Sequence, residues 1–196
     1  MGRLARNSLL TLEAYAKTRK AFRAEVIEHK KKRTVHLGEH ITLLFEDELT
    51  IRYQVQEMLR IEKVFEEEGI QSELDAYNPL IPDGSNWKAT LLIQYEDPDE
   101  RARMLSQLKQ IETRVWMQVD AHAKRFAIAD EDLDRENEEK TSSVHFLRFE
   151  LDAATLLALK GGAAIAMGVD HPALQIGPTQ LHASTREALI ADLALS

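Results

Sequence analysis

The sequence predicts an α+β fold, a largely antiparallel sheet with about five helices packed on it as a two-layer sandwich. Three observations predict it. The spacing of apolar residues switches repeatedly between a helical period of about 3.6 and a strand period of about 2. Most of the period-two runs are separated by stretches too short for a crossover helix, which makes neighbouring strands antiparallel. Capping signals stand where helical periods begin, as in "DPDE" (Asp97 to Glu100) and "STRE" (Ser184 to Glu187).

The elements follow in order. From Leu12 to Lys32, Tyr15, Phe22, Val26 and Ile27 recur at helical spacings with no Gly or Pro between them. Around Thr34 the period changes, and Val35, Leu37, then Ile41, Leu43, Phe45, then Leu49, Ile51, Tyr53, Val55 alternate as short antiparallel strands. A helix carrying Val55, Met58, Leu59 and Phe65 comes next, with Gly69 placed to close it. The loop "YNPLIPDGSNW" is dense in turn residues, and the strand Lys88 to Tyr95 follows it. After Asp97 as cap and Pro98 in the first turn, Met104, Leu105, Leu108 and Ile111 form a helical stripe. Strands follow near Val115 to Val119 and Lys124 to Ile128, and another at "SVHFLRFEL". Asp152 caps a short helix stopped by Gly161 and Gly162, and "AAIAMGV" returns to strand. The final helix turns Leu189, Ile190 and Leu193 inward. No fixed-period repeat is present. The expected organisation is a single α+β domain over residues 1–196, with the helix at about 12–32 admissible as an extension of it.

Composition excludes several function classes. Of the 196 residues 44% are hydrophobic and 30% charged, the balance of a soluble globular chain. There is no cysteine, which removes disulfides, thiolate metal sites, directly ligated iron–sulfur clusters and cysteine nucleophiles. The N-terminus "MGRLARNSLL" lacks the apolar run of a signal peptide, and "GGAAIAMGV" falls well short of the ~18–20 residues of a membrane span. The net charge of −8 disfavours nucleic acid and anionic membrane as partners, and a cytoplasmic location is expected. The basic knot "HKKKR" (His29 to Arg33) reads as the last turn of a helix, where cations complement the macrodipole, rather than as an anion contact. The acidic run Asp130 to Lys140 reads as a solvated loop.

"HLGEH", His36 to His40, has the H-x-x-E-H order of a zinc-protease motif. Zinc binding requires both histidines on one helix face, yet Gly38 and the period-two flanks argue for a hairpin. With Gly38 and Glu39 as the turn, Leu37 opposes His40, His36 opposes Ile41, and the histidines point to opposite faces. The motif is therefore expected to mark a turn.

Two other constellations carry candidate chemistry. Arg52 and Gln54, then Glu57 and Arg60, cluster where strand is expected to become helix. They are read either as the polar floor of a ligand cleft walled by Asn78 and Trp87, or as a surface ion pair. In the C-terminal third, His145, Asp170, His171 and His182 have the donor types for a divalent metal. Against a shared ion, "VDHP" is equally a turn, and His145 and Arg148 should face opposite sides of one strand. "KGGAAIAMG" lacks the ending of a phosphate-binding loop, and no G-x-S-x-G nucleophile elbow occurs. No cofactor is specified by any motif.

The segments "HITLLFEDELTIRYQVQEMLRIEKV", "YNPLIP", "ATLLIQYED" and "SVHFLRFEL…VDHPAL", in that order, resemble an uncharacterised bacterial family, a domain of unknown function. The resemblance runs from about Leu12 to Leu193. It implies genes placed beside those of rubrerythrin-like and iron–sulfur oxidoreductase proteins, and so a part in redox or oxidative-stress metabolism. Three readings follow. The first is a soluble cytoplasmic ligand-binding or accessory protein, whose partner is a small molecule or a redox protein. The second is a metal-dependent enzyme using His145, Asp170, His171 or His182. The third is a structural module that forms homo-oligomers. Nothing in the sequence commits the chain to enzymatic activity.

Overall fold

The period-two runs form nine strands and the helical runs six α-helices among the residues that the structure, a computed structural model, describes: 2–129 and 140–194. The helices are α1 (Leu12–Lys31), α2 (Glu48–Glu62), α3 (Glu67–Tyr77), α4 (Pro98–Gln107), α5 (Ala153–Lys160) and α6 (Ala183–Ala191). The strands are β1 (Thr34–Leu37), β2 (Ile41–Phe45), β3 (Asn86–Ile93), β4 (Val115–Val119), β5 (Arg125–Phe126), β6 (Ile128–Ala129), β7 (Val144–Glu150), β8 (Ile165–His171) and β9 (Leu174–Gln180). The acidic run expected as a loop lies, apart from Lys140, outside the described residues.

The α+β class and the antiparallel pairing are as the sequence predicts. The strands divide between two sheets, of order β1-β2-β3-β7-β6 and β5-β4-β8-β9, with antiparallel neighbours throughout. One hydrophobic core joins both: Leu43, Phe45, Leu91 and Phe149 of the first sheet cluster with Val115, Met117, Ile165 and Val169 of the second. These are alternate residues along each strand, so the pleat sends the intervening side chains to the opposite faces. A second cluster gathers Ile51, Val55 and Leu59 of α2 with Ile70 and Leu74 of α3 and with Leu4 and Leu9.

Four local expectations are corrected. The run Leu49 to Val55 is part of α2 and not a strand. Asp47 accepts a hydrogen bond from Thr50 N at 2.9 Å and Thr50 Oγ1 accepts one from Asp47 N at 2.9 Å, a reciprocal cap that starts the helix. Ile51, Val55 and Leu59 are four apart, a spacing compatible with both periods, and the cap decides between them. That helix closes at Lys63, which takes the left-handed conformation (φ 56°), whereas Gly69 lies inside α3 with Val64 packed where a Cβ would stand. The strand β9 was not expected, since Gly177 and Pro178 interrupt its pattern. Finally, α6 begins after His182 without a side-chain cap, and Ser184 sits within the helix.

"HLGEH" forms a hairpin, as expected, but one residue out of the expected register. Leu37 pairs with Ile41 and His36 with Thr42, so Gly38, with φ 64°, Glu39 and His40 make the loop. His36 Nδ1 lies 3.1 Å from Thr42 Oγ1, while His40 stacks on Tyr95 at 4.0 Å and places Nδ1 2.9 Å from Gln94 O.

The basic knot ends α1 as expected, yet its last residue is no surface cation. Arg33 is only 2% exposed. Its Nε donates to Phe45 O (2.9 Å) and Nη2 to Glu46 O (3.1 Å). Nη1 donates to Asp192 Oδ1 (3.2 Å) and stands 3.4 Å from Asp47 Oδ2, and Nη2 also bonds Asp192. His29 Nε2 lies 2.5 Å from the same Asp47 oxygen. Burial pushes the Asp192 carboxyl up. At Asp47 burial acts in the same direction, but the Arg33 charge, the Thr50 N–H and His29 outweigh it and hold that carboxyl below its usual range. One guanidinium thus ties the end of α1, the start of α2 and the end of α6 together. Beside it, buried Glu46 accepts hydroxyl hydrogen bonds from Thr50 (2.5 Å) and Thr90 (2.6 Å).

Candidate functional site

The outer face of the four-stranded sheet carries a polar cleft walled by three strands and the segment before β5. Along β4, Val115, Met117 and Val119 enter the core, so Trp116 and Gln118 face the other way. Trp116 pairs with Gly168 of β8 across the ladder. A Cβ on Gly168 would stand 2.4 Å from Trp116 Cζ2 and 2.3 Å from Ile176 O, so the indole lies where a side chain would otherwise be. The ladder between β8 and β9 is irregular between Met167 and Val169, and Gly177 takes φ 126° against the same indole. Two glycines and a bulge therefore seat one tryptophan flat on the backbone.

The seated ring organises the charges above it. Trp116 Nε1 donates to Asp170 Oδ1 at 2.9 Å. Lys124 Nζ donates to Asp170 Oδ2 at 2.8 Å and stands 4.1 Å from the centre of the Trp116 ring, a cation–π contact. The Lys124 hydrogen bond, and after it the indole N–H, holds the Asp170 carboxyl below its usual range. Lys124 and Asp170 keep 39% and 34% of their side-chain surface exposed, so both remain reachable from solvent. Gln118 Nε2 donates to His122 O and Gln175 Nε2 to His171 O, each at 2.8 Å, which leaves each amide its oxygen and one N–H for a further partner. With Pro178 these side chains enclose a cleft of about 220 Å³.

Of the residues expected to bind metal, Asp170 belongs to this cleft as the ion-pair partner of Lys124. His171 is buried, with Nδ1 accepting from Ala173 N at 3.1 Å and Nε2 therefore donating to Lys109 O at 2.8 Å. His145 is fully buried on β7, its Nε2 3.0 Å from Thr141 Oγ1 and 2.9 Å from Ser142 O. His182 is exposed at the start of α6. Among the described residues no three His, Asp or Glu side chains gather into a group able to hold an ion.

The expected ligand cleft at α2 is divided by the structure. Glu57 and Arg60 do pair, at 3.2 Å, as their spacing suggests. The stronger partner is Arg19 of α1, which grips Glu57 through Nε–Oε1 at 2.7 Å and Nη2–Oε2 at 2.8 Å, while buried Tyr15 donates to Oε1 at 2.6 Å. Arg52 lies with its guanidinium carbon 5.5 Å from the centre of the Phe22 ring, and Gln54 is half-buried beside it on α2. The two expected walls stand elsewhere. Asn78 is buried, accepting from Leu4 N (2.7 Å) and donating to Leu4 O (3.0 Å). Trp87 is wholly buried in the core and donates to Leu189 O at 2.8 Å. The α2 cluster thus joins helix to helix. A recess of about 410 Å³ beside it, holding Arg19, Lys20 and Arg23, is lined by α1 alone and lacks walls from any other element.

A prediction follows for that helix pair. The Arg19 hydrogen bonds, opposed by burial and aided by Tyr15 and Arg60, hold the Glu57 carboxyl at about 2, against an ordinary 4.5. A depressed carboxyl stabilises the fold above its unfolded value and loses that contribution as pH falls towards the folded value, here on the order of 2 kcal/mol. In urea unfolding across acid pH, Glu57→Gln is expected to be less stable than wild type near neutrality, with the gap narrowing as pH falls from about 4.5 and nearly closed at about 2. A gap independent of pH would contradict the assignment.

Sequence reasoning missed Trp116 and Lys124, although one signal was present. A glycine inside a strand pattern, as in "AMGVD" (Ala166 to Asp170), marks a bulge or a close backbone approach, and here it marks both.

A family model described as "Protein of unknown function (DUF3501)" matches residues 3–193. Among solved structures, a crystal structure of a novel protein of unknown function from Burkholderia pseudomallei K96243 shares 56% identity and a TM-score of 0.94, covering 98% of this chain and 100% of that one. No curated protein matches. Among the described residues, no helix is long and apolar enough to cross a membrane.

Proposed function

The chain belongs to the DUF3501 family of proteins of unknown function, and from that premise we propose that it is a cytoplasmic ligand-binding accessory protein. Its binding site is the cleft at Trp116, Lys124 and Asp170. One observation carries this reading: an aromatic floor bearing a reachable ion pair, at a place where the sheet departs from regularity to seat the ring. Bulges and interior glycines weaken a sheet and concentrate where a strand re-aims side chains for function. The cleft is smaller than the ~300–1,000 Å³ of drug-sized sites, which suits a small polar ligand. The gene neighbourhood that the sequence resemblance implies supports a client in redox or peroxide metabolism. With no cysteine of its own, the chain would serve there as a partner or ligand carrier rather than as a thiol reagent.

Thermal unfolding in a panel of small acids, amines, amino acids, amides and sugars tests the reading. A ligand at a hundred times its Kd should stabilise the protein by about 2.7 kcal/mol. That gain should disappear in Lys124→Met and Asp170→Asn. A panel without any stabilising compound, or stabilisation that survives both substitutions, would overturn the assignment.

A further inference from the structure

Resting on that binding site, we infer that its ligand is a small zwitterion of the α-amino-acid class. The cleft holds one full charge of each sign. Lys124 spends one donor on Asp170 and keeps others for a carboxylate. Asp170 accepts from Trp116 and Lys124, and its oxygens have further lone pairs for an ammonium. The neutral groups serve either charge. Gln118 and Gln175 each spend one N–H on a backbone carbonyl and keep the amide oxygen and a second N–H. The cleft therefore has an anionic side at Asp170 and a cationic side at Lys124, with two amides beside them.

Singly charged ligands match half of this arrangement. An amine would gain the acceptors but face the Lys124 ammonium, which is held in place by Asp170 and the Trp116 ring. A carboxylic acid would gain Lys124 but meet the Asp170 carboxylate, which like any ordinary aspartate is ionised at neutral pH. A zwitterion satisfies both sides without breaking the Lys124–Asp170 pair. Its side chain would run along Ile176 and Pro178, which line the same cleft.

Isothermal titration of the full chain at neutral pH with the proteinogenic L-amino acids tests this. The best binder is then compared with its deaminated acid and its decarboxylated amine. Each analogue is expected to bind at least about tenfold more weakly, the worth of one hydrogen-bonded charge contact. In Asp170→Asn the gap between amino acid and deaminated acid should shrink to about twofold, and in Lys124→Met the gap to the amine should do the same. Should either of those variants fold poorly, Gln175→Leu, opposite Asp170 across the ladder at the exposed rim, should weaken the amino acid more than the deaminated acid. An analogue that binds as tightly as the amino acid overturns the zwitterion and leaves the binding site standing. So does a different panel compound that binds through Lys124 and Asp170 while every amino acid fails. If nothing binds through these residues, both conclusions fall.

Discussion

Arg33→Met is expected to lower the stability of the fold by about 3–5 kcal/mol, measured by chemical denaturation at neutral pH. The substitution keeps an unbranched apolar stem and removes the charge and donors. Asp192, itself buried, would be left as an uncompensated carboxylate, and Asp47 would keep only His29 and the cap hydrogen bonds. The carbonyls of Phe45 and Glu46 would also lose the guanidinium that binds them. Removing one partner of a buried pair costs far more than the pair contributes in net, because the remaining charge stays desolvated. The double variant Arg33→Met, Asp192→Leu should therefore recover at least about half of the loss, giving a clear coupling energy in a double-mutant cycle. A single variant costing under about 1 kcal/mol would show that Arg33 does not hold the three helix ends together.

Gly168→Ala is the second large effect, expected at about 3 kcal/mol together with loss of ligand binding. The added methyl meets the Ile176 carbonyl at 2.3 Å and the Trp116 ring at 2.4 Å. The first neighbour is backbone and cannot swing aside, so β9 must shift. The second carries the Lys124 and Asp170 contacts, so moving it disperses the ion pair. Trp116→Leu in the same chain should relieve the ring contact and leave the carbonyl contact, restoring part of the stability and none of the binding. An alanine variant with wild-type stability and an unchanged cleft would mean that the sheet accommodates a side chain there after all.

How much was legible depended on how far apart the deciding groups lie. Asp97 and Asp152 each accept the N–H expected of a cap, from Glu100 at 2.7 Å and Thr155 at 2.9 Å, because a cap is decided within one turn. The hairpin at Gly38 was legible for the same reason, although its loop proved one residue longer. The start of α2 is not legible in the same way, because alternation in Ile51, Tyr53 and Val55 mimics a strand and the deciding cap lies four residues upstream of Ile51. At the candidate site only Asp170 was named in advance. Its partners Lys124 and Trp116 are 46 and 54 residues away in the chain, beyond the range of any periodicity. Trp87, expected as a cleft wall, instead donates its N–H inside the core to Leu189, 102 residues on.

Local chemistry along the chain thus determined the α+β class, the antiparallel pairing, the starts of α1, α4 and α5 and the alternation that sends Trp116 and Gln118 away from the core. Capping, turn conformation and the pleat act over a few residues and are written in adjacent side chains. Only the tertiary structure decided that the strands form two sheets, that Arg33 is buried against Asp192, and that a lysine, an aspartate and a tryptophan meet over two glycines. Those outcomes depend on which faces come together, and the strength of an ion pair or a ring contact depends on separations in space that sequence spacing does not encode.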